Sequence, residues 1–235
     1  MEVRGERECT ECGTRWSYFE TGSVECPACG SMRSVGTGER KRHTDAPAEL
    51  ELDPILARLD EEALGELTDD VKRACRAYLR KRGFIRGGEL KPLDDAYLAA
   101  EELVQAADLY GRLRDPTDDD EWYVTALLRA ADTGERPAAA DVPDRLREAR
   151  GLAAASAVLE YRTDVSTFLD GDQDPAVRST LGSLRERAKR IDALGGDVDP
   201  AEADALVTAA RELGRHLITD DPDALERARD GLEDD

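Results

Sequence analysis

Two short cysteine-bearing stretches decide the fold of the N-terminal part of this chain: residues 9–13 read CTECG and residues 26–30 read CPACG. In each stretch two residues separate the cysteines, a spacing that lets both sulfurs bind one ion at about 2.3 Å. The glycine after each second cysteine favours a tight turn, because glycine accepts a positive φ. The pattern therefore predicts one four-sulfur metal site, formed by Cys9, Cys12, Cys26 and Cys29.

Zinc is the ion that this donor set favours, since four thiolates form a closed tetrahedral site with no position left for catalysis. A module of about forty residues buries too little surface to fold alone, and metal ligation worth about 10 kcal/mol supplies the missing stability. We therefore expect one structural Zn²⁺. Two alternatives remain open: a pair of disulfide bonds, and an iron site of the rubredoxin type, for which the intervening loop is short.

The residues between the cysteine pairs predict a small β-hairpin. Residues 14–19 are rich in β-formers and predict a strand, residues 20–23 a turn, and residues 31–35 a possible third strand. Alternation places Trp16 and Tyr18 on one face, where they either pack on the core or form a contact platform for a partner. Because of the two cysteine pairs, the first 36 residues resemble a zinc ribbon of the transcription-factor type.

Charge divides the 235-residue chain into two parts. Residues 1–44 have no net charge, whereas residues 45–235 carry the entire formal charge of -20. We therefore predict a domain at 1–44, a ribbon ending in a basic linker, and an acidic domain at 45–235. The basic residues of the first domain, taken as candidate nucleic-acid contacts or as a solvated linker, are Arg33, Arg40, Lys41 and Arg42.

The second domain has the periodicity of an all-α bundle or array. The chain has five Asp-Pro dipeptides, and most of them predict helix starts, because Asp caps a helix and Pro suits its first position. The predicted helices are 54–66, 69–82, 93–114, 119–133, 143–169, 175–194, 200–219 and 222–232. The helix at 69–82 carries basic residues on one face, which indicates either a docking surface or internal neutralisation. The fold class expected for the whole chain is thus a small β zinc ribbon followed by an all-α helical domain.

Several classes of function lack their sequence signals. The chain has two histidines without a relay partner, and it has no Gly-rich phosphate loop and no nucleophile elbow. We therefore expect no enzyme. No apolar run approaches the roughly 18 residues that a membrane span needs, and the first residues carry no hydrophobic signal region. A cytoplasmic protein without membrane contact is expected.

The chain as a whole resembles uncharacterised haloarchaeal proteins that join an N-terminal zinc ribbon to an acidic helical domain. Its 28 arginines against 5 lysines, and its excess of acids, are typical of such proteins. The resemblance implies a fold and a metal, and no activity. We expect a non-catalytic adaptor with a protein partner, for which the transcription or translation machinery is the candidate. The alternatives are nucleic-acid binding through the ribbon and basic linker, and a rubredoxin-like electron carrier.

Overall fold

The structure is a computed structural model that describes residues 1–133, 136–171 and 174–233. A small strand region carrying four clustered cysteines comes first, and an array of helices follows. The predicted fold class is confirmed in these terms. The domain boundary at residue 44 stays a prediction.

The N-terminal sheet has three antiparallel strands in the order β2-β1-β3. They are β1 (Glu2–Cys9), β2 (Arg15–Ser17) and β3 (Ser34–Arg42). The sequence analysis predicted no strand before Cys9, because that stretch is dominated by charged residues, yet β1 is the central strand. The strand predicted at 14–19 is shorter, since a helical turn, α1 (Tyr18–Thr21), follows β2 directly.

The basic run at residues 40–42 is part of β3 and not a linker, which corrects the prediction. The reason is the pairing with β1: Glu2 lies opposite Arg42, Val3 opposite Lys41 and Arg4 opposite Arg40. The chain is fixed beyond the strand as well. Backbone N–H groups of Thr44 and Asp45 donate to the Ile85 carbonyl at 2.8 and 3.2 Å.

Asp45 attaches the sheet to the helices. Its carboxylate is 1% exposed and accepts from Nε of Arg82 and Nε of Arg86, both at 2.8 Å. Next to it, the Thr44 hydroxyl donates to Oδ2 of Asp164 at 2.6 Å. Buried, charge-assisted hydrogen bonds are stronger than neutral ones. Residues 44 and 45 therefore hold the sheet in one position on the helical part.

The helical part is an array of α-helices with short connections. The helices in the described residues are α2 (Asp53–Leu56), α3 (Leu64–Leu79), α4 (Asp95–Tyr110), α5 (Asp118–Thr133), α6 (Arg147–Leu169), α7 (Pro175–Ala193), α8 (Pro200–Thr219) and α9 (Pro222–Glu233). Three of the Asp-Pro predictions are confirmed, since the carboxylates of Asp174, Asp199 and Asp221 accept from backbone N–H groups two residues later.

Two segments differ most from the predicted helices, and the starts predicted at residues 69 and 143 lie at Leu64 for α3 and at Arg147 for α6. Instead of one helix at 54–66, α2 ends at Leu56 and turns lead to α3. The helix predicted from residue 93 begins at Asp95, because the Asp94 carboxylate caps it by accepting from Tyr97 N at 2.7 Å. A two-stranded hairpin precedes it, β4 (Ile85–Arg86) and β5 (Glu89–Leu90), which was not predicted. Its turn uses two glycines at positive φ, as tight hairpins do, and its two-residue strands are too short to show alternation.

Two apolar clusters form the core of the array. One is built mainly from α2 to α5, the other mainly from α6 to α9, and α4 and α6 contribute to both. Ion pairs between buried side chains connect helices of the two clusters. Glu102 on α4 is fully buried and accepts from Nη1 of Arg150 on α6 at 2.9 and 3.0 Å. Arg150 also binds Asp204 on α8, while Arg136 and the Tyr123 hydroxyl donate to Glu102.

Part of the basic face of α3 is neutralised within the chain. Lys72 lies 3.0 Å from an oxygen of Asp69 and 3.4 Å from one of Asp108, and Arg73 lies 2.7 Å from Asp70. Beyond the helix, Arg82 and Arg86 share Asp45. Internal neutralisation therefore accounts for four of these basic residues. Cys75 lies on the opposite, apolar face and is buried.

We expect Arg150→Ala to lower the free energy of unfolding by about 3–5 kcal/mol, because it leaves the buried Glu102 carboxylate with fewer donors. Chemical denaturation monitored by circular dichroism measures this. The matched control is Arg178→Ala, at an exposed position of α7, which should change the value by less than about 0.5 kcal/mol. Equal effects of the two variants would contradict the assignment.

A second expectation concerns Glu101. Burial raises the pKa of its carboxyl group from 4.5 to about 7, although hydrogen bonds with Ser156 and Tyr97 act in the opposite direction. The folded state keeps this proton at pH values where the unfolded chain has lost it. Its contribution to stability is therefore complete below about pH 4.5 and is lost as pH rises through 7. Glu101→Gln should raise the free energy of unfolding at pH 8, by up to about 3 kcal/mol, and change it little at pH 4.5. Denaturation at both pH values tests this, and an equal change at both would rule it out.

Candidate metal centre

The cysteines lie on two equivalent turns that face each other. Cys9 ends β1, and the N–H of Gly13 donates to the Cys9 carbonyl at 3.1 Å. In the second turn the N–H of Gly30 donates to the Cys26 carbonyl at 2.9 Å. Both glycines have positive φ, 73° and 70°. The turn chemistry predicted from the sequence is therefore present at both cysteine pairs.

The four sulfurs lie close enough to surround one ion. Sγ of Cys9 is 3.7 Å from Sγ of Cys29, Sγ of Cys12 is 3.5 Å from Sγ of Cys26, and all four lie within 4.8 Å of one another. A tetrahedron with metal–sulfur bonds of about 2.3 Å has edges of about 3.8 Å. The residues thus fit a four-sulfur metal site. All five cysteines are free, so the structure does not show the alternative pair of disulfides.

The surroundings of the sulfurs differ from one ligand to another. The side chain and backbone N–H of Thr14 lower the pKa of the Cys12 thiol to about 6. A hydrogen bond at Ser31 also lowers the pKa of Cys29, but the neighbouring sulfurs of Cys12 and Cys26 outweigh it and raise that pKa to about 12. Four thiolates at this spacing repel one another, and a bound cation removes that repulsion. The donor set is therefore suited to a divalent ion.

The two aromatic residues predicted either to pack on the core or to form a contact platform lie in different environments. Trp16 is only 8% exposed and donates its indole N–H to the Ser23 carbonyl at 3.0 Å. It belongs to the small buried cluster that also contains Cys9 and Cys26. Tyr18 is half-buried, with its ring edge-on to the ring of His43 at 5.8 Å. Trp16 therefore packs beneath the metal site, and Tyr18 stays partly accessible.

The predicted basic contacts are also not equivalent. Arg33 lies 3.6 Å from a carboxylate oxygen of Glu11, and Arg42 lies 2.5 Å from one of Asp170 after α6. Arg40 and Lys41 are exposed and make no ion pair among the described residues. The structure thus separates two neutralised arginines from two cations that remain available to a partner.

The sequence analysis missed four residues that the fold brings to the surface of the sheet. Arg4 and Arg7 lie on β1 beside Arg40, and the apolar side chains of Met32 and Val35 are 64% and 50% exposed next to the second cysteine turn. The alternation of charge before Cys9 was the one available signal for β1. Nothing in the sequence marked Met32 or Val35, because exposure depends on the packing of the sheet.

The comparisons with known proteins bear on the whole chain. A protein-family model described as "Family of unknown function (DUF7117)" matches residues 1–232. No curated protein matches the chain, and no solved structure does. Among the described residues, no helix combines the length and the apolar character needed to cross a membrane.

We expect one metal ion per chain, and we expect its removal to free four thiols. Thiol titration of the chelator-treated native protein should count the four ligands and not Cys75, because burial raises the pKa of that thiol to about 12. The fifth thiol should react after denaturation.

The matched variants are Cys26→Ser, which should lose the metal by elemental analysis, and Cys75→Ser, which should keep it. Loss of metal from both variants, or an unchanged N-terminal sheet after chelation as measured by NMR, would contradict the site.

Proposed function

Since the chain belongs to DUF7117, a family of unknown function, we propose a function from its own structure: a non-catalytic adaptor whose metal-stabilised sheet binds a protein partner. The metal is one structural Zn²⁺. The observation that carries this proposal is the closed donor set. Four sulfurs saturate a tetrahedral zinc ion, so no coordination position remains for a substrate or a water molecule.

The attachment of the sheet supports an adaptor role. The buried Asp45 carboxylate joins Arg82 and Arg86 to the chain directly after β3, and Thr44 binds Asp164 of α6. Phe19 adds an apolar contact, since its ring lies against Gly87 in the turn between β4 and β5, where a Cβ atom would be 3.0 Å from the ring. A sheet held in one orientation presents its surface without further ordering, which lowers the entropic cost of binding.

Met32 and Val35 form the part of this surface best suited to a protein. Both are large apolar side chains, both are at least half exposed, and they lie within four residues of each other. Exposed apolar groups of this kind mark interaction sites when they cluster. We call residues 32–35 the knuckle patch. We place the partner in the transcription or translation machinery because the cysteine pairs in the sequence resemble those of transcription-factor-type zinc ribbons.

Nucleic acid is the second candidate, supported by the exposed and unpaired Arg40 and Lys41. The formal charge of -20 opposes it, because the body of the protein repels a phosphate backbone.

A rubredoxin-like electron carrier is the third candidate function. It requires iron, which gives visible absorbance in a four-sulfur site, whereas the zinc protein is colourless.

The adaptor proposal is tested with the full-length, metal-loaded chain as bait. We expect a specific protein to be retained by the wild type and lost with Met32→Glu combined with Val35→Glu, because charges in the knuckle patch prevent burial of its apolar surface. Elemental analysis should find one zinc per chain in both proteins. Quantitative mass spectrometry of the bound fraction measures the loss.

The control is Leu194→Glu combined with Ile218→Glu, which places charges at exposed apolar positions of the helical part. This variant should keep the partner. An identical set of bound proteins for the wild type and the knuckle-patch variant would refute the interface, and stoichiometric iron would favour electron transfer.

A further inference from the structure

An open groove of about 430 Å³ lies on the sheet, away from the sulfur cluster. Three arginines line it, Arg4 and Arg7 from β1 and Arg40 from β3, and Tyr18 from α1 lines it as well. We call it the arginine groove. A groove of this volume holds a small organic molecule.

Two of the arginines lie directly opposite each other. Arg4 pairs with Arg40 in the register of β1 and β3, which places their side chains on the same face. Like charges in directly opposed positions destabilise a sheet. Neither guanidinium makes an ion pair or hydrogen bond with any residue in the described part of the chain. No ion pair or hydrogen bond from the described residues compensates this cationic pair.

Three other arginines near this sheet bind a carboxylate, which Arg4 and Arg40 do not do among the described residues. Arg15 binds Glu8 at 2.8 Å, and Arg33 and Arg42 have the carboxylate partners described above. The chain contains 53 acidic residues, yet Arg4 and Arg40 use none that the structure describes. Arg4, Arg7 and Arg40 bring their positive charges together at one groove.

Arg7 is held in place as the third cation of the groove. Its Nε donates to the Ser34 hydroxyl at 3.0 Å and its Nη2 donates to the Ser34 carbonyl at 3.3 Å, and no described partner takes Nη1. Opposite Arg7 in the register is Gly36. A Cβ atom at that position would lie 3.0 Å from Cβ of Arg4, so glycine keeps the space beside the arginines open.

We propose that the arginine groove binds the phosphate group of a small molecule. A phosphate monoester is a dianion with three terminal oxygens, and guanidinium forks match such oxygens in pairs. Three arginines around one groove can satisfy that group, whereas a carboxylate offers only two oxygens and one charge. Tyr18 and Val24 line the same groove and supply contact for the organic part.

Glu2 also lines the groove and is its acidic member. Its carboxylate repels a phosphate, so it lowers affinity and favours ligands whose charge lies toward Arg7. The site requires a folded sheet but no protein partner, and it therefore goes beyond the adaptor function.

Isothermal titration of the metal-loaded full-length chain tests the site with two probes, inorganic phosphate and phenyl phosphate. Phosphorus NMR at low and high salt reports the same binding. We expect Arg4→Gln and Arg40→Gln each to weaken phenyl phosphate about tenfold, and Glu2→Gln to strengthen it severalfold. Both arginines are exposed, and neither forms a side-chain bond, so the variants should keep their zinc and their circular dichroism.

The matched control is Lys41→Gln. This residue neighbours Arg40 in β3 but does not line the groove, and its side chain lies beside Gly88 of the hairpin. Its removal should leave affinity within about twofold. Tighter binding of phenyl phosphate than of inorganic phosphate supports a monoester ligand, and equal binding supports the groove with free phosphate as its ligand.

Three results would overturn the proposal. One is no binding of either probe at millimolar concentration. Another is equal weakening by Lys41→Gln and Arg40→Gln, which would indicate general charge attraction. The third is much tighter binding of an RNA oligomer or a Glu-rich peptide that Arg4→Gln and Arg40→Gln also abolish. Loss of the protein partner in the knuckle-patch variant leaves phosphate binding unchanged, so the two proposals fail separately.

Discussion

Four sulfur atoms within 4.8 Å of one another are the constraint on which the N-terminal sheet depends. The sheet has one small buried cluster, made of Cys9, Trp16 and Cys26, so apolar burial alone cannot stabilise it. An ion bound by the four thiolates removes their mutual repulsion and joins two turns that are thirteen residues apart in sequence. Everything proposed for the surface of the sheet, the knuckle patch and the arginine groove alike, requires that this ion holds the strands together.

The helical part is organised by ion pairs that are buried between its helices. Glu102 on α4 is surrounded by Arg136, Arg150 and the Tyr123 hydroxyl, and Arg150 reaches Asp204 on α8. A buried ion pair contributes less to stability than apolar packing of equal volume, but the loss of one partner is costly. These bonds therefore fix which helices are neighbours. The same arrangement recurs at Asp45, where two arginines bind one carboxylate and position the sheet.

The net charge of -20 does not show where the unpaired positive charges of the surface lie. Several arginines near the sheet and on α3, among them Arg15, Arg42 and Arg73, bind carboxylates of the chain itself, so a basic run in the sequence is only partly a basic surface. Arg4 and Arg40 bind none among the described residues, and the strand register places them opposite each other. The groove they share with Arg7 and Tyr18 is separate from the exposed apolar residues Met32 and Val35. One small sheet thus offers two surfaces of different chemistry.

The sequence by itself determined the cysteine cluster, the β-then-α order of the chain and most helix ends, because ligand spacing, caps and helical periodicity act over a few residues. It could not show that β1 is the central strand, since its charged residues carry no apolar alternation. Nor could it show that residues 40–42 belong to β3, that Trp16 is buried, or that Arg4 meets Arg40. Those properties depend on strand register and on ion pairs between residues more than thirty positions apart. Only the tertiary structure decides such contacts, because any of the 53 acidic side chains could neutralise a given arginine until the fold selects one.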